Sequence, residues 1–102
     1  MDMFHYLVMH ERERQDRKFG TNRHIPNGTG DIYYIYLANA DRNICDAAFK
    51  NGRGTWQHIL QEEVSEAFAE SDPAKLKEEL VQVAAVCKAW IEDLDRSSER
   101  SK

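Results

Sequence analysis

Apolar residues recur at helical spacing along most of the chain, and turn-forming residues divide them into four segments. The last segment is the most apolar. Its run Leu80-Val81-Gln82-Val83-Ala84-Ala85-Val86-Cys87-Lys88-Ala89-Trp90-Ile91 is broken only by Gln82 and Lys88, which predicts a helix buried around most of its circumference. Pro73 behind Asp72 is a good helix start, so this helix is expected over 73–95. Thr55 is a good N-cap for a preceding helix over 56–71. Its Trp56, Leu60, Val64 and Ala67 flank a stripe of Ile59, Glu63, Glu66 and Glu70. A connection as short as Ser71-Asp72 makes the two helices antiparallel neighbours.

Upstream, Asp2 caps an expected helix over 3–19 that Gly20 ends, with Phe4, Leu7, Val8, Glu11, Gln15 and Phe19 along one broad side. The segment Ile32-Tyr33-Tyr34-Ile35-Tyr36-Leu37 has strand propensity taken alone. Its continuation through Phe49 keeps Tyr34, Leu37, Asp41, Ile44 and Ala48 at helical spacing, and no strand partner exists elsewhere, so a helix over 31–51 is predicted. Between these helices, Asn22, Pro26, Asn27, Gly28 and Gly30 make a loop carrying Arg23 and His24. The expected fold is therefore all-α: four helices forming a bundle in one domain over 1–95, followed by a polar, Ser-rich tail over 96–102 expected to be disordered.

The predicted hairpin raises an electrostatic problem. Glu66 lies six residues before Asp72 and Glu79 seven after it, heights of roughly 9 and 10 Å above the bend. Glu63 and Gln82 come level one turn further on. Three carboxylates this close repel, at roughly 4 kcal/mol per pair for about 4 Å and an effective dielectric near 20. Protonation, an Arg or Lys partner, or a divalent cation would relieve them, and Mg²⁺ suits a cluster of oxygen donors. A solvated acidic face paired with Lys75 or Lys77 explains Glu62, which faces furthest from the apolar arc, but not why Glu63 and Glu79 both interrupt apolar stripes at matching heights. His58 points away from Glu63 and is not needed as a base.

Glu62-Glu63-x-x-Glu66, then twelve residues, then Glu79-x-x-Gln82 resembles the EExxE and ExxD signature of the MazG-like, all-α nucleoside triphosphate pyrophosphohydrolases. The stretch Glu11-Arg12-Glu13-Arg14-Gln15-Asp16-Arg17-Lys18-Phe19-Gly20 is similar to the lead of small single-domain members. The resemblance implies Mg²⁺, or Mn²⁺, held by Glu63, Glu66, Glu79 and Gln82. The last position departs from the family's Asp: an amide oxygen ligates without bringing charge. The activity implied is hydrolysis of a nucleoside or deoxynucleoside triphosphate to monophosphate and pyrophosphate, in a homodimer or homotetramer. On this reading Glu62, Glu63, Glu66 and Glu79 are the catalytic set. By position, Lys18, Arg23 and His24 are candidates for the phosphates, Phe19 and Trp56 for stacking a base, and Gln15 for the polar patch beside them. Two rival readings are a degenerate relative that binds nucleotide or metal without turnover, and a helical interaction module whose acidic seam pairs with a partner's cations.

Length and charge narrow the classes further. A chain of 102 residues is one small domain, and a net charge of -4 argues against a general nucleic-acid binder. The basic residues cluster early, at Arg12, Arg14, Arg17, Lys18 and Arg23, while the hairpin is acidic. Cys45 and Cys87 fall within helical patterns and read as small buried thiols. With no signal peptide and no apolar run of membrane-spanning length, a cytoplasmic protein that does not engage membranes is expected.

Overall fold

The computed structural model describes residues 2–21 and 24–100. These form four α-helices and no strand: α1 (Met3–Phe19), α2 (Ile32–Lys50), α3 (Trp56–Ala69) and α4 (Pro73–Arg100). Each of the first three starts at a residue whose side chain satisfies an otherwise unpaired N–H. Asp2 accepts from the His5 N–H at 2.9 Å, Asp31 from the Tyr33 N–H at 2.8 Å, and Thr55 from the His58 N–H at 3.2 Å. The His58 ring returns the favour, its Nδ1 accepting from the Thr55 N–H at 3.1 Å. That capping role, with the ring at the start of α3, gives His58 a structural use.

α3 is the central helix, packed between α2 and α4. The buried apolar residues are small at the first of these contacts, Ala38 and Cys45 from α2 and Ala67 from α3, with Leu76 from α4. Small side chains let two helix axes approach closely, and α3 settles on them. The covered face of α2 is the expected one at Tyr34, Leu37, Asp41 and Ala48, all buried or half-buried, and is completed by Ala38 and Cys45, while Ile44 turns out of it at 54% exposed. The Asp41 carboxylate is nonetheless satisfied, accepting from the Ser65 hydroxyl and from the Gln61 amide at 3.1 Å, as a buried carboxylate must be. Tyr34 packs edge-on against Phe68, centroids 5.3 Å apart.

Two helix ends differ from expectation. α3 stops at Ala69, not 71, because the end of the turn-rich loop takes its last carbonyls. The Gly30 N–H donates to the Phe68 carbonyl at 2.8 Å and the Thr29 hydroxyl to the Glu70 carbonyl at 2.6 Å. Gly30 has φ +96°, and a Cβ there would stand 2.9 Å from the Ser71 Cβ. At the other end, the expected tail is helical through Arg100. Arg96 and Arg100 both approach Asp93, at 3.6 and 3.7 Å, and Asp93 also accepts from the Trp56 indole N–H at 2.8 Å. One carboxylate thus ties the last turns of α4 together and to α3. Residues 101 and 102 lie outside the described residues.

α1 touches only α4 among the helices. The Lys88 ammonium bridges Asp2 at 3.2 Å and Glu92 at 3.2 Å, and Phe4 and Leu7 face Ile91 across a small cavity. The resulting molecule is open. Its radius of gyration is 16.2 Å, where about 13 Å is usual for this length. Its accessible surface is 7969 Å², against about 5,900 Å² for a folded monomer of this mass. Met3, Leu7, Ile35, Tyr36, Leu80 and Leu94 are all exposed. Among the described residues no helix is long and apolar enough to cross a membrane.

Candidate metal centre

Helical periodicity puts Glu63 and Glu66 on one side of α3, and the tight turn to α4 brings Glu79 level with them. One oxygen from each of the three lies within 4.8 Å of the others. Two oxygens here, Glu63 Oε2 and Glu79 Oε2, are buried and have no hydrogen-bond partner among the described residues. Burial is the main reason both carboxyls titrate above the usual range. Glu63 is raised further by Glu66, Glu79 and Glu62. Glu79 is raised by Glu66, Glu70 and Glu78, and partly relieved by Arg42.

Glu62 does not face solvent, as its distance from the apolar arc suggested. Its side chain is only 20% exposed, because α2 covers that side of α3. Burial raises its pKa, against a lowering hydrogen bond from the Cys45 thiol and the nearby Arg42. The same contact, after burial itself, pushes the Cys45 thiol up to about 11, so this cysteine is a poor nucleophile.

The cation beside the cluster is Arg42, which the sequence did not single out; neither Lys75 nor Lys77 takes that role. Its Nη2 lies 3.2 Å from Glu66 Oε1 and its Nε 3.9 Å from Glu62 Oε1. Arg42 follows Ala38 by one turn and precedes Cys45 by one. The small residues that draw α3 in also aim the guanidinium at the acidic stripe. A signal was therefore present in the sequence, as an Arg placed between small residues of a predicted helix. Arg42, Asn39, Glu66, Glu70 and Glu79 line a groove of about 290 Å³ between α2 and the hairpin.

The remaining expected site residues are dispersed. Gln82 is exposed on α4, one turn beyond Glu79. Gln15, Lys18 and Phe19 share a separate groove with Arg12 and Arg14 at the far end of α1; within one chain, α1's sole helix contact with α4 leaves that groove apart from the carboxylates. The Lys18 ammonium sits 5.0 Å from the Phe19 ring centre. His24 is exposed on the loop, and Arg23 lies outside the described residues. Trp56 stacks on Trp90, centroids 6.5 Å apart and planes 11° apart, with its N–H held by Asp93. That indole joins two helices, so only its outer face remains for a base.

The donor set fits a hard divalent cation. All three groups are oxygens, they converge, and two of the oxygens are buried with nothing to bond. Comparison of the chain with known protein families, with curated proteins and with solved structures finds no match.

Proposed function

We propose that the chain is a metal-dependent nucleotide pyrophosphohydrolase of the MazG-like type, converting a nucleoside or deoxynucleoside triphosphate to monophosphate and pyrophosphate. The observation that carries this reading is the pair of partnerless buried oxygens of Glu63 and Glu79 within one cluster with Glu66. Leaving such groups unpaired is costly, and Mg²⁺ or Mn²⁺ bound there supplies charge for phosphate oxygens and acidifies a water. Glu63, Glu66 and Glu79 hold the cation. Glu62, next to Glu63 in sequence and with its side chain largely covered by α2, is the candidate to accept a proton from the attacking water.

The open surface supports completion of the bundle by a second copy. An excess of about 2,000 Å² over a folded monomer exceeds the roughly 800 Å² per partner of a standard interface, which suits a dimer or tetramer. The exposed, uncharged Gln82 favours the second reading, nucleotide and metal binding without turnover. A panel of nucleoside and deoxynucleoside triphosphates with Mg²⁺ or Mn²⁺, analysed for products, separates the two. Monophosphate and pyrophosphate are expected. Metal binding with no product from any nucleotide favours the second reading, and release of orthophosphate contradicts the first.

A further inference from the structure

Glu66 belongs to two arrangements at once. It contributes an oxygen to the three-carboxylate cluster and accepts from the Arg42 guanidinium at 3.2 Å. The two are not equally fixed. The Glu66 side chain is 19% exposed and that of Arg42 52%, so the guanidinium is the partner free to move. Its hold is also incomplete. One hydrogen bond and a 3.9 Å approach to Glu62 leave most of the five N–H donors of an arginine uncommitted.

The groove beside it explains what those donors face. Its charged lining residues are Glu66, Glu70, Glu79 and Arg42, so an anion entering alone meets three carboxylates and a single cation. An anion that arrives with a divalent cation meets a different field. The carboxylates are then engaged by the cation, and the guanidinium, repelled by the same charge, has an acceptor within the groove.

We propose that Arg42 is the resident counter-ion of the cluster and exchanges it for substrate. In the free protein it neutralises Glu66, and when a divalent cation and a polyphosphate load together it swings to the phosphate oxygens beside Asn39. This rests on the metal reading above and adds to it the residue that couples metal loading to the polyphosphate end of a nucleotide. Arginine suits the task because its planar fork pairs with phosphate bidentately, which lysine cannot do.

The test compares the full chain with Arg42→Met and Arg42→Lys in two titrations, one with Mn²⁺ alone and one with Mn²⁺ and inorganic tripolyphosphate. Circular dichroism controls for folding, and the lysine variant carries the test if the methionine variant does not fold. Arg42→Met is expected to bind Mn²⁺ alone roughly threefold more tightly, having lost a half-exposed competitor. It should bind the Mn²⁺–tripolyphosphate complex about tenfold more weakly. Arg42→Lys should keep near wild-type Mn²⁺ affinity while losing much of the tripolyphosphate affinity. Wild-type Mn²⁺ and tripolyphosphate affinities in both variants would leave the metal reading standing and overturn the exchange. Weaker Mn²⁺ binding in Arg42→Met would make Arg42 a structural support of the cluster and also overturn it. Absence of Mn²⁺ binding in the wild-type chain would remove the metal reading and the exchange together.

Discussion

Glu63 and Glu79 lie on antiparallel helices, contribute to one carboxylate cluster, and each keep a buried Oε2 without a hydrogen-bond partner among the described residues. Folding the hairpin therefore forces charge together that nothing among the described residues fully offsets, since Arg42 reaches Glu66 and not these two oxygens.

The first consequence is a pH dependence of stability. Both groups have folded pKa values above the ordinary 4.5, so above that pH the folded state binds more protons than the unfolded one. Stability from this source falls as pH rises through the window above 4.5 and is recovered on acidification towards it. Metal-free protein should thus melt higher at mildly acidic than at neutral pH. Glu79→Gln removes a titrating charge facing Glu66, Glu70, Glu78 and Arg42, so its profile should be flatter and its neutral-pH stability higher. A gain of about 1 kcal/mol corresponds to roughly 4 to 8 °C in a domain of this size. Thermal unfolding across pH checks this; a less stable Glu79→Gln at neutral pH would refute it.

A second prediction concerns the strap that ends α3. Gly30→Ala introduces a Cβ 2.9 Å from Ser71 Cβ at φ +96°, and should cost roughly 2 to 3 kcal/mol. Gly28→Ala, at φ +72° with nothing within 4 Å, should cost about 1 kcal/mol from backbone strain alone. Urea unfolding of the two variants gives the difference. Equal losses would mean that the strap does not close on Ser71.

Assembly is the third. Sedimentation velocity should show at least a dimer at micromolar concentration, and Leu94→Glu, which charges a 58% exposed apolar position on α4, should shift the chain towards monomer. A monomeric wild-type chain would contradict completion of the bundle by a second copy.

How much of this was legible in the sequence depends on the range of the interactions. The convergence of Glu63, Glu66 and Glu79 follows from local rules alone: two caps, a tight turn and a fixed rise per residue. Arg42 and the burial of Glu62 depend on which side of α3 receives α2; the stripe of Tyr34, Leu37, Asp41 and Ala48 pointed to the covered face of α2, with Ile44 alone turned out, but nothing local says which side of α3 meets it. On that face the deepest apolar positions are the small Ala38 and Cys45 and not Ile44, a ranking that hydrophobicity alone would reverse. Trp56 shows a similar gap. An indole beside an acidic stripe invited a stacking role, whereas Trp90 and Asp93, distant in sequence, engage it. The polar segment after 95 looked unstructured by composition, yet Asp93 pairs with Arg96 and Arg100 at helical spacing and carries the helix on.

The fourth prediction is for Gln82. It is exposed one turn from Glu79, so Gln82→Asp adds a carboxylate with little desolvation. The variant should bind Mn²⁺ more tightly, by about tenfold if the new group ligates, and should hydrolyse nucleotide faster. Isothermal titration and a pyrophosphate assay check the two effects. A loss of both would mean that the amide is adapted to its own contact with the substrate or the cluster.

The most direct measurement is Mn²⁺ binding to the wild-type chain and to the Glu63→Gln, Glu66→Gln and Glu79→Gln variants, followed by the loss of free-ion electron paramagnetic resonance signal. The wild-type chain is expected to bind Mn²⁺ saturably, with affinity lowered at least about tenfold by each single substitution while circular dichroism stays unchanged. A wild-type chain that binds no Mn²⁺, or variants that bind it as tightly as wild type, would contradict the assignment of these three carboxylates as a metal centre.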